Sequence, residues 1–569
     1  MKKIGKFHLF LILALVVPSF FMAQNTQADI LGDQRTFNTN TTHDQFGRSS
    51  VAATLRATSK YGYYYVENKF WDSLSFSSMQ KLTDDLEALA SEFDNVIYPK
   101  SIQFWGSEPN PGIDGDPRIT ILLEDLASGS GGYFESVNLY SKTQEPQSNE
   151  REMFSASVES LGTQYLKNFL AHELQHLISF NQKETLNNIS EDVWLNEVRS
   201  EYAISAVGYN DIFFNSNLER RMETFVDNPS DSLTEWPNKS VDYAMAALFG
   251  EYLVERFGSG VLNETIRYKS SSISSLNQFL ISHGTNFDNV FIEWMAANYL
   301  NDQSLNPKYG YTKSGLKQIK VRPQTNLFFS SNFKEYLNLI NLKDWQPYWL
   351  EYNFQNLADA SQGLRFQLSN LSNSSHLASY IVIYENGQAE INKIPYTGVK
   401  TIDFVANSSD KRLSKVILML TGNQKTIGFS SNESNYIIEV KADLVDVSVG
   451  QGQTLKDGAL IKKIGGKDLY VIWGQYKRYL HPDVIKLYGH LDSAKAIEVS
   501  GQVFDSYKVA NYIKNVNDKK VYAVRPEGTK HWLNMTAEYF TQSGRDWNAI
   551  FIINDLEYGF YKTGEDVKR

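Results

Sequence analysis

The sequence predicts an α+β domain, followed by a β-sandwich and then by a small module present in two copies. Three observations support this fold class. Segments with helical periodicity alternate with strand-like runs over about the first 300 residues. Short alternating runs separated by Asn, Gly and Ser follow. The last part of the chain repeats itself. The predicted domain ranges are 29–325, 326–448 and 449–569, after a leader of residues 1–28.

The leader has the pattern of an export signal. Lys2, Lys3 and Lys6 precede an apolar run, and Ala28 ends a small-residue pattern that fits a cleavage site. The run is short for a membrane span, so we predict cleavage after Ala28, with an uncleaved anchor as the alternative. No later segment is apolar enough to span a bilayer. We therefore expect a secreted, extracellular protein, either free or held at the cell surface.

Composition excludes several classes of protein. The formal net charge is −10, so we expect no binding to nucleic acid or to anionic membranes. The chain contains no cysteine, which excludes disulfides, thiol nucleophiles and cysteine-ligated zinc. Any metal must be held by His, Asp or Glu. An exported chain without cysteine fits a bacterial source.

The α+β domain is predicted from its periodic segments. Gly62–Val66 and Arg118–Leu123 have strand patterns, and the second of these is strongly apolar. The predicted helices are Ser78–Phe93, Leu161–Gln182, Glu191–Val207 and Val241–Phe257. The loop Gly112–Asp116 carries two aspartates among glycines, which suits Ca²⁺, although it lacks the EF-hand pattern. A plain turn is the preferred interpretation of this loop, and a calcium site is the alternative.

The β-rich part is predicted from turns and from a repeat. Tyr380–Tyr384 and Gln388–Ile391 flank Asn386-Gly387, the strongest short hairpin signal. Further on, Ala459–Leu480 aligns with Tyr512–Leu533. The matched pairs include Ile461 with Ile513 and Tyr470 with Tyr522. These units loosely resemble a short repeat of exported bacterial surface proteins, which implies no chemistry. A contact with the cell wall or another surface is one open role for them.

Residues 172–176 form an HExxH motif within the predicted helix Leu161–Gln182. Residues four apart share a helix face, so His172 and His176 can point both imidazoles at one ion. Glu173 lies one residue further round and can reach a water molecule on that ion. The alternative is a helix with two solvent-facing or capped histidines.

The choice of a third ligand separates the classes of HExxH protein. Metzincins need Gly and His at two later positions, which Ser179 and Gln182 occupy here, so that class is excluded. Glu197 and Glu201 lie four residues apart on the next predicted helix, with Ser190 as its N-cap. Neighbouring carboxylates repel each other, and a cation between them would remove that cost. A plain acidic helix face is the alternative.

HExxH followed by WLNE-x-x-x-E resembles the gluzincin zinc peptidases. Within this group the chain is most similar to the hyicolysin family of secreted bacterial neutral metalloproteases, over about residues 60–300. The similar segments are RITILLEDL (118–126), GGYFESVNLYSK (131–142), SNEREMF (148–154), AHELQHLISF (171–180) and WLNEVRSEYA (194–203). The resemblance implies a zincin-like fold, with the HExxH helix under a small mixed sheet.

The resemblance also implies roles for individual residues. One Zn²⁺ per chain would be held by His172, His176 and Glu197, with a water in the open position. Glu173 would be the general base of peptide hydrolysis. Glu201 would accept a hydrogen bond from the other ring nitrogen of His172 and so orient it.

Three further expectations follow from the resemblance. Tyr243 is the candidate for stabilising the oxyanion, with His283 as a competitor and a plain core tyrosine as the alternative. Extended protein or peptide substrates would pair with an edge strand, for which Glu150–Val158 is the candidate. The aminopeptidase motif Gly-x-Met-Glu-Asn is absent, which favours an endopeptidase. The competing interpretation is an exported surface-binding or adhesion protein that carries an inactive zincin domain.

Overall fold

The structure is a computed structural model of the chain. It describes residues 28–330, 333–354, 362–372, 374–394, 401–406, 412–446, 455, 457–463, 466–499 and 501–568. The predicted leader up to residue 27 lies outside the described residues. The chain divides into two compact units, Met1–Asn181 and Gln182–Arg569. Every helix of the described part is too short or too polar to cross a membrane.

A six-stranded mixed sheet organises the first unit. Its strands are β1 (Gln34–Asn38), β2 (Ser50–Thr58), β3 (Gly62–Glu67), β4 (Ile119–Glu124), β5 (Gly132–Tyr133) and β6 (Met153–Ser157). The strand order is β1-β2-β3-β4-β6-β5, with β3, β4 and β6 parallel and β5 antiparallel to β6. The apolar strands β3 and β4 are buried along their whole length, as expected for the centre of a parallel sheet. The short strand β5 forms one edge.

Helices accompany this sheet in the first unit. They are α1 (Asn68–Asp72), α2 (Phe76–Glu92), α3 (Tyr98–Trp105) and α4 (Gln164–Phe180). Helix α4 begins three residues later than the sequence pattern predicts. Gly162 has a φ of +81°, outside the helical region, and the Thr163 side chain accepts a hydrogen bond from the Leu166 amide at 3.3 Å. The threonine is therefore the N-cap, and the apolar Leu161 lies outside the helix.

The second unit begins with a group of helices. They are α5 (Val193–Ala206), α6 (Asn217–Asp227), α7 (Ser240–Phe257), α8 (Gly260–Asn263), α9 (Ser272–Ser282) and α10 (Phe287–Leu300). Aromatic side chains fill their core, with Phe249 and Trp294 at a centroid distance of 5.1 Å. The prediction of Ser190 as the N-cap of α5 is wrong. Asp192 occupies the N-cap position without a capping hydrogen bond from its side chain, because the chain is extended there and turns helical only at Val193.

Two sheets with a common core follow in the second unit. Their strands are β7 (Thr325–Phe329), β8 (Glu335–Leu342), β9 (Tyr348–Phe354), β10 (Gln362–Asn370), β11 (His376–Tyr384), β12 (Ala389–Lys393), β13 (Thr401–Ala406), β14 (Leu413–Gly422) and β15 (Tyr436–Asp446). The orders are β13-β10-β15-β8 and β12-β11-β14-β9-β7, and both sheets contribute to one apolar cluster. The hairpin predicted at Asn386-Gly387 is confirmed. Ile383 of β11 pairs with Ala389 of β12, and Gly387 has the positive φ that this turn requires.

Two small sheets with one strand order end the chain. Their strands are β16 (Leu460–Lys463), β17 (Tyr470–Trp473), β18 (Tyr476–Tyr479), β19 (Ile497–Val499), β20 (Lys508–Val509), β21 (Tyr512–Asn515), β22 (Tyr522–Arg525), β23 (Thr529–Trp532), β24 (Ile550–Ile553) and β25 (Lys562–Thr563). The orders β19-β16-β17-β18-β20 and β24-β21-β22-β23-β25 correspond strand by strand. Ile461 pairs with Tyr470 in the first sheet, as Ile513 pairs with Tyr522 in the second. The short helices of this region are α11 (Pro482–Ile485), α12 (Gly501–Ser506), α13 (Ala537–Gln542) and α14 (Asp555–Phe560).

A buried ion pair joins these two C-terminal sheets. Arg478 on β18 donates to both carboxylate oxygens of Glu557 on α14, at 2.6 and 3.2 Å. The hydroxyl of Tyr561 also donates to Glu557, at 2.8 Å, and Tyr488 donates to its other oxygen. Both charged side chains are almost fully buried. The positive and negative charges therefore satisfy each other inside the protein.

Candidate metal centre

Helix α4 carries the HExxH motif on a buried segment. Leu170, Leu174 and Leu177 are fully buried, and the polar residues between them are drawn inside as well. His172 is 6% exposed and Glu173 is 5% exposed. Buried polar side chains on an apolar helix need a specific reason, because burial of a polar group is costly unless it binds a partner.

The two histidines converge on one point. The Nε2 atoms of His172 and His176 lie 3.1 Å apart, and the two rings meet edge to face with centroids 4.8 Å apart. A tetrahedral zinc ion with Zn–N distances of about 2.0–2.1 Å places two nitrogen ligands about 3.3 Å apart. The separation of the two nitrogens therefore fits a shared metal ion.

Glu197 on α5 completes a group of three candidate ligands. His172, His176 and Glu197 each offer one ligand atom, and these atoms all lie within 4.8 Å of one another. Two members of the group are buried and His176 is partly buried. The group could therefore hold a metal ion. Two imidazoles and one carboxylate form a donor set that several divalent metals accept, zinc among them.

Glu173 lies beneath the edge strand β5. A Cβ atom added to Gly132 would be 3.3 Å from Oε1 of Glu173 and 2.9 Å from the carbonyl oxygen of Ser155. A larger residue at position 132 would therefore force the backbone or this carboxylate to shift. Phe134, just after β5, stacks on the ring of His176 at a centroid distance of 6.4 Å. The segment around β5 thus lies against the HExxH residues.

The edge strand is not the one that the sequence predicts. The candidate segment Glu150–Val158 contains β6, which pairs with β4 on one side and with β5 on the other. It is therefore not the edge of the sheet, because the segment at Gly132–Tyr133 folds back and pairs with its residues Ser155 and Ala156. A two-residue strand is too short to leave a periodic pattern in the sequence, although two consecutive glycines mark the place.

Glu201 lies one helical turn after Glu197 and is almost fully buried. Arg221 on α6 donates to both of its oxygens, at 2.9 and 2.5 Å. Asn217 donates to the same carboxylate at 3.0 Å. The predicted hydrogen bond between Glu201 and His172 stays a prediction. No motif in the sequence pointed to Arg221.

Tyr243 lies on α7 and is linked to the same arginine. The guanidinium of Arg221 lies 4.9 Å from the centre of the tyrosine ring, and the tyrosine hydroxyl donates to Oδ1 of Asn238 at 2.6 Å. Its role at the oxyanion stays a prediction. The competitor His283 follows α9, with Nδ1 2.9 Å from the carbonyl oxygen of Phe279.

A second buried charge cluster fixes the start of α5. The carboxylate of Glu191 forms ion pairs with Arg199 at 2.7 Å and with Lys183 at 3.3 Å. Lys183 also donates to the backbone carbonyls of Thr265 and Ser270 at 3.0 and 2.7 Å. Burial lowers the pKa of Lys183 to about 8. These contacts hold the chain just before the helix that carries Glu197.

Behind the edge strand lies a carboxyl group of a different kind. Tyr133 of β5 donates its hydroxyl to Oε1 of Glu124 at 2.9 Å, while the tyrosine ring stacks on His43 at 4.8 Å. Burial raises the pKa of Glu124 to about 7, although hydrogen bonds from Ser155 and Tyr133 act in the opposite direction. This carboxyl group is therefore largely protonated at mildly acidic pH.

The loop Gly112–Asp116, for which a plain turn is the preferred interpretation and calcium the alternative, holds its aspartates in contacts within the protein. Arg118 binds Asp116 through Nε at 2.9 Å and through Nη2 at 2.8 Å, and Tyr63 donates to the same carboxylate at 2.6 Å. Asp114 accepts a hydrogen bond from the amide of Asp116 at 2.9 Å. The charge of Asp116 is thus balanced by an arginine, and a calcium ion in this loop stays a prediction.

Known proteins resemble this chain only weakly. No family model matches the chain, and no curated protein matches it. The M60 catalytic domain with two CBM51 domains of ZmpB from Clostridium perfringens is 12% identical, covers 73% of this chain and 62% of that structure, and has a TM-score of 0.23. The pre-peptidase C-terminal domain of a collagenase from Bacillus anthracis is 11% identical over 21% of this chain and 98% of its own, with a TM-score of 0.15. At such TM-scores neither resemblance carries an argument.

Proposed function

We propose that the protein is an exported zinc endopeptidase of the gluzincin type, similar to the hyicolysin family. The observation that carries the proposal is the group of His172, His176 and Glu197, whose ligand atoms lie within 4.8 Å of one another. Glu173, next to the first histidine, supplies the carboxylate that such an enzyme needs. Neither a binding module nor a structural protein needs all four residues in this arrangement.

The chain's own residues divide the work of hydrolysis. His172, His176 and Glu197 would hold the ion, which as a Lewis acid polarises a carbonyl group and lowers the pKa of water to about 7. Glu173 would accept a proton from the attacking water and later deliver it to the leaving amine. Glu173 is buried next to Gly132, and a carboxylate held close to its working position would need little reorganisation when the substrate binds.

Substrate would bind along β5. An extended peptide can add to the open side of this edge strand by main-chain hydrogen bonds, which gives affinity with little dependence on sequence. Gly132 lies above Glu173, so a peptide paired there would pass over the general base. This geometry favours cleavage within a chain, and the substrates would be unfolded or extended proteins and peptides.

Outer residues would hold the ligands in position. Arg221 fixes Glu201 with two hydrogen bonds, and Glu201 in turn would orient His172. Tyr243 packs on the same guanidinium and would donate to the oxyanion after releasing Asn238. Export would follow from the leader of residues 1–28, and the C-terminal sheets would provide any contact with a surface.

The proposal is tested on the mature chain purified without chelators. We expect about one zinc per chain by elemental analysis, and hydrolysis of unfolded casein that a chelator abolishes and added Zn²⁺ restores. Zinc without hydrolysis would instead favour the surface-binding alternative. A chain that neither carries nor takes up zinc would overturn the proposal.

A further inference from the structure

A cavity of about 250 Å³ opens in the first unit beside the start of β5. Its wall includes Asp125, Gly131, Ser157, Glu159 and Tyr165. Asp125 and Glu159 are the only charged residues among those that line it. Pockets for drug-sized ligands are usually larger, at about 300–1,000 Å³, so the cavity suits one side chain better than a whole small molecule.

The cavity lies in line with the general base. Tyr165, Phe169 and Glu173 are four residues apart on α4 and therefore share one face. A Cβ atom on Gly131 would overlap the ring of Phe169, as one on Gly132 would crowd Glu173. The face of α4 thus runs alongside the edge segment. Its end at Tyr165 forms part of the cavity wall.

The helix sets the distance between the cavity and the reacting bond. Eight residues of α-helix separate Tyr165 from Glu173, which corresponds to about 12 Å along the axis. An extended peptide advances about 3.3 Å per residue. A side chain in the cavity would therefore belong to the third or fourth residue from the scissile bond.

The charge of the cavity wall is negative. Burial raises the pKa of Asp125, and the negative charges of Glu67 and Glu159 add to the increase. Arg48 is the neighbouring cation, but it forms ion pairs with Asp44 and Glu67. A positive group inside the cavity would relieve the repulsion between Asp125 and Glu159.

The loop that forms the cavity is held in place before any ligand binds. The carbonyl oxygen of Asp125 accepts a hydrogen bond from the amide of Gln45 at 3.0 Å. The amide of Ala127 donates to the carbonyl oxygen of His43 at 2.7 Å, and the amide of Ser130 donates to Ala127 at 2.9 Å. A preformed site loses little conformational entropy on binding.

We propose that this cavity is a specificity subsite, in which Asp125 and Glu159 select a lysine or arginine side chain three or four residues from the scissile bond. The inference rests on the proposed endopeptidase function and names the class of substrate it favours. Main-chain hydrogen bonds along β5 would then bind substrates of any sequence, and the cavity would supply the preference for a basic side chain.

The test uses internally quenched peptides of one sequence with a single lysine, leucine or glutamate placed in turn at each of four positions on either side of the cleaved bond. The mature enzyme is compared with Asp125→Asn, Glu159→Gln, the double variant and the charge control Glu87→Gln, which alters an exposed residue of α2. In the parent enzyme we expect kcat/KM for the lysine peptide to be about fivefold higher than for the leucine peptide, when the varied residue is the third or fourth on one side of the cleaved bond. A ratio of this size is what a partly exposed ion pair gives.

The double variant should lower that preference to about one, while its kcat/KM on the leucine peptide stays within about twofold of the parent enzyme. Raising the salt concentration to about 1 M should weaken the preference in the parent enzyme, because exposed charges are screened. Glu87→Gln should leave it unchanged.

Each other outcome has a separate meaning. Cleavage that is sensitive to a chelator but indifferent to lysine, or a preference that survives in the double variant or falls at another position, overturns the subsite and leaves the endopeptidase standing. Failure to cleave any of the peptides, in a chain that folds and binds zinc, overturns both proposals together.

Discussion

In the C-terminal sheets, Arg478 and Glu557 are buried against each other, whereas at the candidate metal centre three cation-binding groups converge within 4.8 Å. Both regions remove charged or strongly polar side chains from water. In the first, the chain supplies the positive and the negative charge itself. In the second, the residues that meet are all of the kind that binds a cation.

The difference indicates what each buried group is for. A buried carboxylate with its own arginine is complete without any ligand, so its effect is on folding and on the docking of the two sheets. A buried carboxylate grouped with two imidazoles could gain its counter-charge from a metal ion, so its expected effect is on metal binding. Glu124 is a third case, because its bonded partner Tyr133 is neutral.

The largest expected effect is at the metal centre. Replacing Glu173 with Gln keeps the size of the side chain but removes the base, so kcat on casein or a peptide should fall about 10²–10⁴-fold. The zinc content and the unfolding curve should stay as in the parent enzyme. Glu87→Gln is the matched control and should keep full activity. Retention of activity in Glu173→Gln would show that the proposed mechanism is wrong.

The next effect is on folding and belongs to the C-terminal ion pair. Replacing Glu557 with Gln leaves Arg478 buried without a counter-charge, so the free energy of unfolding should fall by about 3–5 kcal/mol. Urea denaturation followed by tryptophan fluorescence measures this change. Glu565→Gln, at an exposed position of the same region, should have little effect.

A double variant separates the contribution of the two charges to stability from the contribution of the surrounding packing and hydrogen bonds. Arg478→Met combined with Glu557→Leu removes both charges and should recover much of the lost free energy of unfolding. A double variant as unstable as Glu557→Gln would mean that the hydrogen bonds from Tyr488 and Tyr561 matter more than the ion pair.

Metal should stabilise the candidate metal centre and should have no effect on the C-terminal ion pair. At a free Zn²⁺ concentration about 100 times the dissociation constant, the free energy of unfolding should rise by about 2.7 kcal/mol. Glu197→Ala should lose this gain, while Glu557→Gln should show it in full from its lower starting point. Thermal unfolding with Zn²⁺ and, as a control ion, Mg²⁺ measures both. An undiminished gain in Glu197→Ala would remove that residue from the ligand set.

The buried carboxyl group of Glu124, whose hydrogen-bond partner Tyr133 is neutral, predicts that the free energy of unfolding depends on pH. Burial raises the pKa of Glu124 to about 7, so the folded protein holds a proton that the unfolded chain has already released above its ordinary carboxyl pKa. This group's stabilisation is therefore present at low pH and is lost as the pH rises towards and through 7. Between pH 5 and pH 8 the loss should be about 2 kcal/mol.

Glu124→Gln should remove that loss. The difference in free energy of unfolding between Glu124→Gln and the parent should therefore shift in favour of the variant by about 2 kcal/mol as the pH rises from 5 to 8. Urea titrations at several pH values measure this difference. Glu87→Gln should give a constant difference instead. A flat difference for Glu124→Gln would contradict the raised pKa.

The smallest expected effect concerns the edge strand. In Gly132→Ala the new methyl group would lie 2.9 Å from the Ser155 carbonyl oxygen and 3.3 Å from the Glu173 carboxylate, so the backbone must shift. We expect kcat/KM to fall about tenfold with zinc retained, because a general base loses efficiency when it is displaced. Gly489→Ala has open space around it and serves as the control.

Local patterns predicted much of the fold. The strands β3 and β4, the helices α2 and α4 and the Asn386-Gly387 hairpin follow from periodicity and from turn residues, which act over a few positions. The errors lie where a single residue overrides the pattern. Gly162 delays the start of α4, and the apolar character of Leu161 cannot show this. Ser190 is a good capping residue by type, but the chain becomes helical only after Asp192.

The site was predictable in part. His172 and His176 share a face by spacing alone, whereas Glu197 entered as a ligand through the family resemblance, because no local rule connects two helices. Arg221 could not be found, since an arginine on an amphipathic helix is ordinary until the carboxylate it binds is known. The edge strand at Gly132 was missed because long-range pairing, and not propensity, makes it a strand.

The two C-terminal sheets share contacts that follow their alignment. The ammonium of Lys477 donates to the carbonyl oxygen of Phe504, and that of Lys530 donates to the carbonyl oxygen of Tyr558. Phe504 therefore corresponds to Tyr558, and the residue before each of them, Val503 and Glu557, corresponds as well. Likewise β17–β18 and β22–β23 pair in the same way, which matches Arg478 with His531.

By this correspondence the described residues of the two sheets contain one such ion pair, between Arg478 and Glu557. The residue that matches Glu557 in the first sheet is Val503, and the residue that matches Arg478 in the second is His531. A third copy added after the second would meet His531 in place of the arginine, so the contact could not be propagated. Head-to-tail arrays grow when each unit presents the same two complementary faces, and they stop when one face is lost. The contact between the two C-terminal sheets therefore depends on an arginine of the first sheet that the second sheet does not repeat.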